Sequence, residues 1–214
     1  MTIDQKDLLN SILESLSRID YIKPQDLPNI DLYMDQVTTF MDAQLAVSKR
    51  HPDDKILTKT MINNYAKNNL LPPPVKKKYS KEHLLALIFI YYFKNILSIG
   101  DIQQILNPIM EKYFSSDSDY SLENIYNEVF QLEKAEIHNM QKDLTKKYQV
   151  SQNTFLDVPE EERTDLQQFA FICMLSFDVY IKKQLIEKLI DAKASARTSA
   201  SAKSASKHKD KSNI

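Results

Sequence analysis

The chain is expected to be all-α, and three observations predict it. Only one glycine, Gly100, occurs in 214 residues. Tight hairpins lean on glycine for positive φ, so a hairpin-rich fold is disfavoured. Apolar residues recur at three- and four-residue spacing in successive stretches, the period of a helix with one buried face. The hydrophobic fraction of 43% is enough for a real core. The same want of glycine removes the loops that cradle phosphates in P-loop and dinucleotide-binding enzymes.

Taken in order, Thr2-Ile3-Asp4-Gln5 forms a capping box. Leu8, Leu9, Ile12, Leu13, Leu16 and Ile19 then give an amphipathic helix whose stripe covers its own domain or a second subunit. Pro24 and Pro28 mark a linker. A helix from Met34 to about Val47 turns Met34, Val37, Phe40, Met41, Leu45 and Val47 inward. His51-Pro52-Asp53-Asp54 is a turn, with Asp54 part of it. One histidine beside two aspartates falls short of the three or four donors a metal needs, so no metal site is expected.

The stretch from Thr58 to Leu106 organises the rest. Thr58 can cap a short helix running to about Asn68. Met61, Ile62, Tyr65 and Ala66 fall on its inner face and leave Lys59, Thr60, Asn63, Asn64 and Lys67 outside. Asn can pair bidentately with adenine edges, Lys reaches guanine or phosphate, and a short helix fits the major groove. Asn68 and Asn69 sit where the helix must stop, Asn being the side chain that best tolerates a left-handed turn. Leu70 and Leu71 return to the core. Pro72, Pro73 and Pro74 stiffen an arm that carries Lys76, Lys77 and Lys78 before Tyr79. Ser80 caps a helix that is apolar almost all round from Leu84 to Phe93, with Tyr91 and Tyr92 read as core packing. Ser98 starts one more helix, ending near Leu106 before Pro108. A polar helix, a stiff basic arm and a buried helix follow in the order that a winged helix-turn-helix DNA reader needs.

Ile62-Asn63-Asn64-Tyr65, Leu70-Leu71-Pro72, Lys78-Tyr79-Ser80 and Leu97-Ser98-Ile99-Gly100-Asp101-Ile102 together resemble the DNA-binding domain of MerR-type transcription regulators. More closely, residues 25–150 resemble the bacterial proteins of the YkrK-like domain of unknown function, regarded as MerR-like regulators. The family's Arg-Tyr-Tyr is Asn63-Asn64-Tyr65 here, and its helix-ending glycine is Asn69. The resemblance implies a helix-turn-helix whose first helix is Met34–Val47, although Ser48–Leu57 is longer than the usual tight turn. It also implies dimers paired through helices that follow the reader, which suits a two-fold symmetric operator.

Beyond the reader, Ser115-Ser116-Asp117-Ser118-Asp119 is a polar break. A long helix is expected from about Leu122 to Tyr148, with Leu122, Ile125, Val129, Leu132, Ile137, Met140 and Leu144 along one side. That side could equally be a dimer seam or pack on its own domain. Pro159-Glu160-Glu161-Glu162 opens a second helix, to about Ile190, which makes a hairpin with the first and can house a dimer contact or an effector pocket. Cys173 is the only cysteine and is read as a small buried hydrophobe, so no intrachain disulfide can form. The Ala/Ser/Lys-rich end is expected to be disordered and to add non-specific DNA affinity or plain solubility.

Charge completes the reading. Between Lys49 and Lys81 nine lysines or arginines face only Asp53 and Asp54, on a chain of net charge −1. A basic band over the reader of an otherwise acidic protein is the footprint of a polyanion partner. His51, His83, His138 and His208 are scattered with no nucleophile motif near them, so an enzyme is not expected and no cofactor is required. No apolar run is long enough to span a bilayer and the N-terminus lacks a signal-peptide pattern, so a soluble, cytoplasmic protein is expected.

The expected organisation is an amphipathic helix (1–24), a MerR-like DNA-binding domain (25–115), a helical dimerisation or effector region (116–192) and a disordered basic tail (193–214). The expected function is sequence-specific binding of double-stranded DNA by a homodimer. Lys59, Thr60, Asn63 and Asn64 face bases; Thr58, Lys67, Lys76, Lys77, Lys78 and Tyr79 face phosphates. The alternative is a helical protein-interaction adaptor, for which the basic arm has no use.

Overall fold

The apolar run Leu84–Phe93 leaves almost no polar face for water, so the helix that carries it has to be surrounded. Every residue from His83 to Tyr91 is buried. The computed structural model describes residues 5–17, 22–115 and 120–209; residues 2–4 of the expected Thr2–Gln5 capping box, Ile19 and residues 116–119 of the expected polar break lie outside the described residues. In chain order the helices are α1 (Gln5–Ser17), α2 (Met34–Gln44), α3 (Lys59–Lys67), the buried helix α4 (Lys81–Lys94), α5 (Ile99–Tyr113), α6 (Leu122–Gln152) and α7 (Glu160–Lys209). Two short strands, β1 (Leu32–Tyr33) and β2 (Lys78–Tyr79), pair antiparallel with Leu32 opposite Tyr79. The protein is mostly helical, as composition and periodicity predict.

Several boundaries differ from expectation, each for a local reason. Helix α2 stops at Gln44, and a 3-10 turn (Ala46–Ser48) follows, so Val47 points to solvent and not inward. Helix α5 does not end at Leu106 but carries Pro108 inside it. Proline has no N–H for the carbonyl of Gln104. That carbonyl instead accepts a bond from Arg197 Nη1, at 3.3 Å, on α7. Helix α7 continues to Lys209, so residues 193–209, expected to be disordered, are helical; alanine and lysine are strong helix formers even without a core to pack on. Cys173 is exposed, not buried, because the apolar run around it wraps the whole circumference of α7 and only one side meets α6.

The region between Ser48 and Leu57 is fastened to the core. Lys94 Nζ donates to the carbonyl of Ile56 at 2.6 Å, and the Ser48 hydroxyl meets that of Tyr91. The Asp54 carboxylate accepts from the backbone N–H groups of Arg50 and His51, at 3.0 and 2.9 Å, which is the turn role expected of it.

The first turns of α6 belong to the same core as α2 to α5. Leu122, Tyr126 and Phe130 are buried, and the Tyr126 ring lies 5.5 Å from that of Phe89 and 4.1 Å from that of Phe130. The cluster of buried residues runs without a break from Ile22 to Phe130 and takes in Ile190 as well. The boundary expected at 115 therefore falls inside a packed unit. Further along α6, Leu132 and Met140 are exposed. Its end turns back through a loop in which Gln167 Nε2 donates to the carbonyls of Gln152 and Thr154, at 2.8 and 3.0 Å, and Arg163 holds those of Leu156 and Val158.

Candidate nucleic-acid interface

Both ends of α3 are built from side chains that the short helix needs. Thr58 Oγ1 accepts the N–H of Met61 at 3.2 Å and satisfies one of the orphan donors of the first turn. At the other end Asn69 takes φ 54. The N–H of Leu70 reaches the carbonyl of Tyr65 at 2.8 Å and that of Asn69 the carbonyl of Ala66 at 3.2 Å, the two bonds of a Schellman motif. Gln103 Nε2 on α5 donates to the carbonyl of Asn68, closing the end of α3 against its neighbour. Ile62 and Tyr65 are buried, Met61 and Ala66 half-buried, and Lys59, Thr60, Asn63, Asn64 and Lys67 exposed. The facing assigned from helix phase is the facing observed. Lys59 is already engaged, by an ion pair with Asp35 at the start of α2.

The basic arm ends in a hairpin. Val75 and Lys78 exchange backbone hydrogen bonds of 3.1 and 2.9 Å. Lys76 and Lys77 between them have φ 50 and 66, the two positive values of a type I′ turn. Scarcity of glycine did not exclude a tight hairpin here, since two lysines occupy the positions that Asn-Gly normally fills. Each pays for the left-handed conformation with roughly 1 kcal/mol or more. Both are exposed, and neither has an acidic partner among the described residues. Lys78 is half-buried, its ammonium 5.2 Å from the centre of the exposed Tyr33 ring.

One expected residue is corrected. Tyr79 does not face phosphate: it is 3% exposed, and burial raises the pKa of its hydroxyl. It pairs with Leu32 across the strands and turns its ring onto His83 at 5.4 Å. Alternation along a strand explains this, because neighbours of an outward residue point inward. Tyr33, at the rim beside Lys78, is the aromatic that the sequence reading missed; only the strand pairing, invisible in local sequence, brings it there.

His83 anchors the arm from beneath. Its Nδ1 accepts the N–H of Ser80 at 3.0 Å, the returning half of a capping box in which histidine replaces the usual Glu or Gln. Its ring is edge-on to Phe114 at 4.8 Å, and its Nε2 has no hydrogen-bond partner. Burial holds its pKa below the ordinary 6.5, outweighing the nearby carbonyls of Pro73 and Pro72 and the charges of Glu82 and Asp31, which push the other way. The folded state then binds a proton less readily than the unfolded chain. Stability is complete above pH 6.5 and falls as pH drops below it, by at most about 1.4 kcal/mol per pH unit. The fall stops once the folded pKa is passed. Urea midpoints measured from pH 7.5 to 5.0 should show this slope, and His83→Gln, which keeps a capping-box side chain, should reduce it. Equal slopes in the two proteins would remove His83 as its source.

The sequence profile described as Domain of unknown function (DUF1836) matches residues 22–129. The chain belongs to this family. No curated protein and no solved structure matches it. The matched segment coincides with the packed unit: the hydroxyl of Tyr126 donates to the carbonyl of Ile22 at 2.7 Å, joining the two ends of the family domain directly. Among the described residues no group of His, Cys, Asp and Glu could hold a metal ion, and no helix is long and apolar enough to cross a membrane.

Proposed function

We propose that this protein is a sequence-specific, double-stranded-DNA-binding transcription regulator of MerR-like winged helix-turn-helix type, acting as a homodimer. In this reading α3 is the recognition helix and the hairpin around Lys76–Lys77 is the wing. Lys59, Thr60, Asn63 and Asn64 are the base-facing set, and Thr58, Lys67, Lys76, Lys77 and Lys78 the phosphate-facing set. The observation that carries it is the hairpin tip. Two adjacent lysines hold backbone conformations that disfavour them, as residues kept for what they bind and not for what they stabilise. Lys59 exchanges its pairing with Asp35 for DNA, at small cost, because exposed pairs contribute little.

A helical interaction adaptor is the second reading, favoured by the apolar side chains that α7 leaves in solvent. The two readings separate in one titration: binding of the purified protein to its own promoter region, and to unrelated DNA of equal length, across a salt series. Preference for the promoter, with affinity falling steeply as salt rises, is the expected result. Absence of binding to either DNA at low salt would sink the regulator reading and leave the adaptor.

A further inference from the structure

The segment that leads from α3 to the basic arm meets the end of α5 at an open cavity of about 360 Å³, within the range of roughly 300–1,000 Å³ that small-molecule sites occupy. Its wall is apolar and already in place. Leu70, Pro72, Pro73, Met110 and Phe114 supply it. The two prolines have a fixed φ. Leu70 and its neighbour Leu71 are tied through their N–H groups to the carbonyl of Tyr65, at 2.8 and 3.2 Å. The Phe114 ring is edge-on to His83, with ring centres 4.8 Å apart.

The polar character of the cavity is one-sided. Pro72 and Pro73 have carbonyls but no N–H. The N–H groups of Asn69, Leu70, Leu71 and Phe114 are all engaged by backbone carbonyls. Helices α3 and α5 both end here, at Lys67 and Tyr113, and the C-terminal end of a helix carries partial negative charge. Glu111 adds a full negative charge at the rim, where it is exposed and without an ion-pair partner among the described residues. No lysine or arginine lines the cavity, and Lys112, next to Glu111, is turned onto the Tyr113 ring at 4.9 Å from its centre. Asn69, Asn107 and Ser115 complete the rim with groups that both donate and accept. We propose that this cavity binds a small organic cation, an aromatic body carrying one protonated amine. The body lies against Pro72, Met110 and Phe114, and the ammonium is held by the Glu111 carboxylate. An anionic ligand would meet a carboxylate and two helix C-termini with no cation to offset them, and a neutral one would leave Glu111 unused.

Naphthylmethylamine, naphthylmethanol and naphthoate share one ring system and differ in charge at neutral pH, so their titration into the full chain tests this. The ring fluorescence reads affinity, and amide NMR spectra of the protein read location. The amine should bind with a dissociation constant of about 1 mM or below. It should bind about fivefold tighter than the alcohol, the upper factor for one exposed ion pair, and naphthoate should bind weakest. Amide shifts should centre on residues 69–71 and 110–115. Glu111→Gln, a change at an exposed rim position, should bring the amine to within about twofold of the alcohol and leave the alcohol's own affinity unchanged. Equal affinities for amine and alcohol in the wild type, or a preference that survives Glu111→Gln, would overturn the ligand class. Saturating amine that leaves residues 69–71 and 110–115 unshifted, or shifts centred on the exposed side of α7, would overturn the site. None of these outcomes depends on DNA, so the inference and the regulator reading stand or fall separately.

Discussion

Lys76→Asn combined with Lys77→Gly is expected to make the protein more stable and a weaker DNA binder at once. Asn-Gly is the dipeptide best suited to a type I′ turn. Relief of two left-handed lysines, at roughly 1–2 kcal/mol each, is offset in part by the greater freedom of glycine in the unfolded chain, leaving a net gain of about 1 kcal/mol. The same change removes two ammonium groups. Each phosphate contact contributes about 0.9 to the slope of log K against log salt, so the slope should fall by about 1.8 and affinity by about 30-fold at 0.15 M salt. Reversing the charge of Lys76, Lys77 and Lys78 to glutamate should go further, beyond a hundredfold. Urea denaturation and a salt-titrated binding assay on the same preparations read both effects. The opposite signs are the diagnostic part, since a variant that merely misfolds loses stability and binding together. Unchanged affinity and slope in the charge-reversed protein would mean that the hairpin is not a wing.

The candidate interface was legible because its signals are local. Thr58 at one end of α3 and Asn68–Asn69 at the other announce its limits, and the phase of Ile62 and Tyr65 determines which residues are left outside. The apolar run of α4 admits one placement only. What stayed hidden depends on pairing between distant residues. Strand β1 has two residues and no alternating pattern, so nothing near Tyr33 shows that it lies beside Lys78, or that Tyr79 turns inward. Pro108 reads as a helix stop until Arg197 takes up the carbonyl it leaves free. The left-handed lysines are the instructive case. A glycine count speaks to what is cheapest for a backbone, whereas this hairpin holds Lys76 and Lys77 in a conformation that is costly for them.

The limit of the family domain was hidden for the same reason, and the second large effect follows from it. Tyr126→Ala should destabilise the protein by about 3–5 kcal/mol, the range for losing a buried aromatic from a core. The side chain is 1% exposed, wedged between Phe89 and Phe130, and its hydroxyl satisfies the Ile22 carbonyl. Tyr126→Phe keeps the ring and removes only that bond, so it should cost about 1–3 kcal/mol, chiefly for leaving the carbonyl unpaired. Leu132→Ala, two turns further on but exposed, should stay within about 0.5 kcal/mol. Urea midpoints of the three variants would order these effects, with slopes unchanged if unfolding remains two-state. A cost under 1 kcal/mol for Tyr126→Ala would show that α6 is an appendage and that the packed unit closes before it, at the polar break. A cost in the expected range makes the start of α6 part of the family domain's packed unit. Displacements of α7, which forms a hairpin with α6 and packs on α5 through Ile105, Ile186 and Ile190, then have a continuous path of packed side chains through α6 and α5 to α4 and the base of the hairpin.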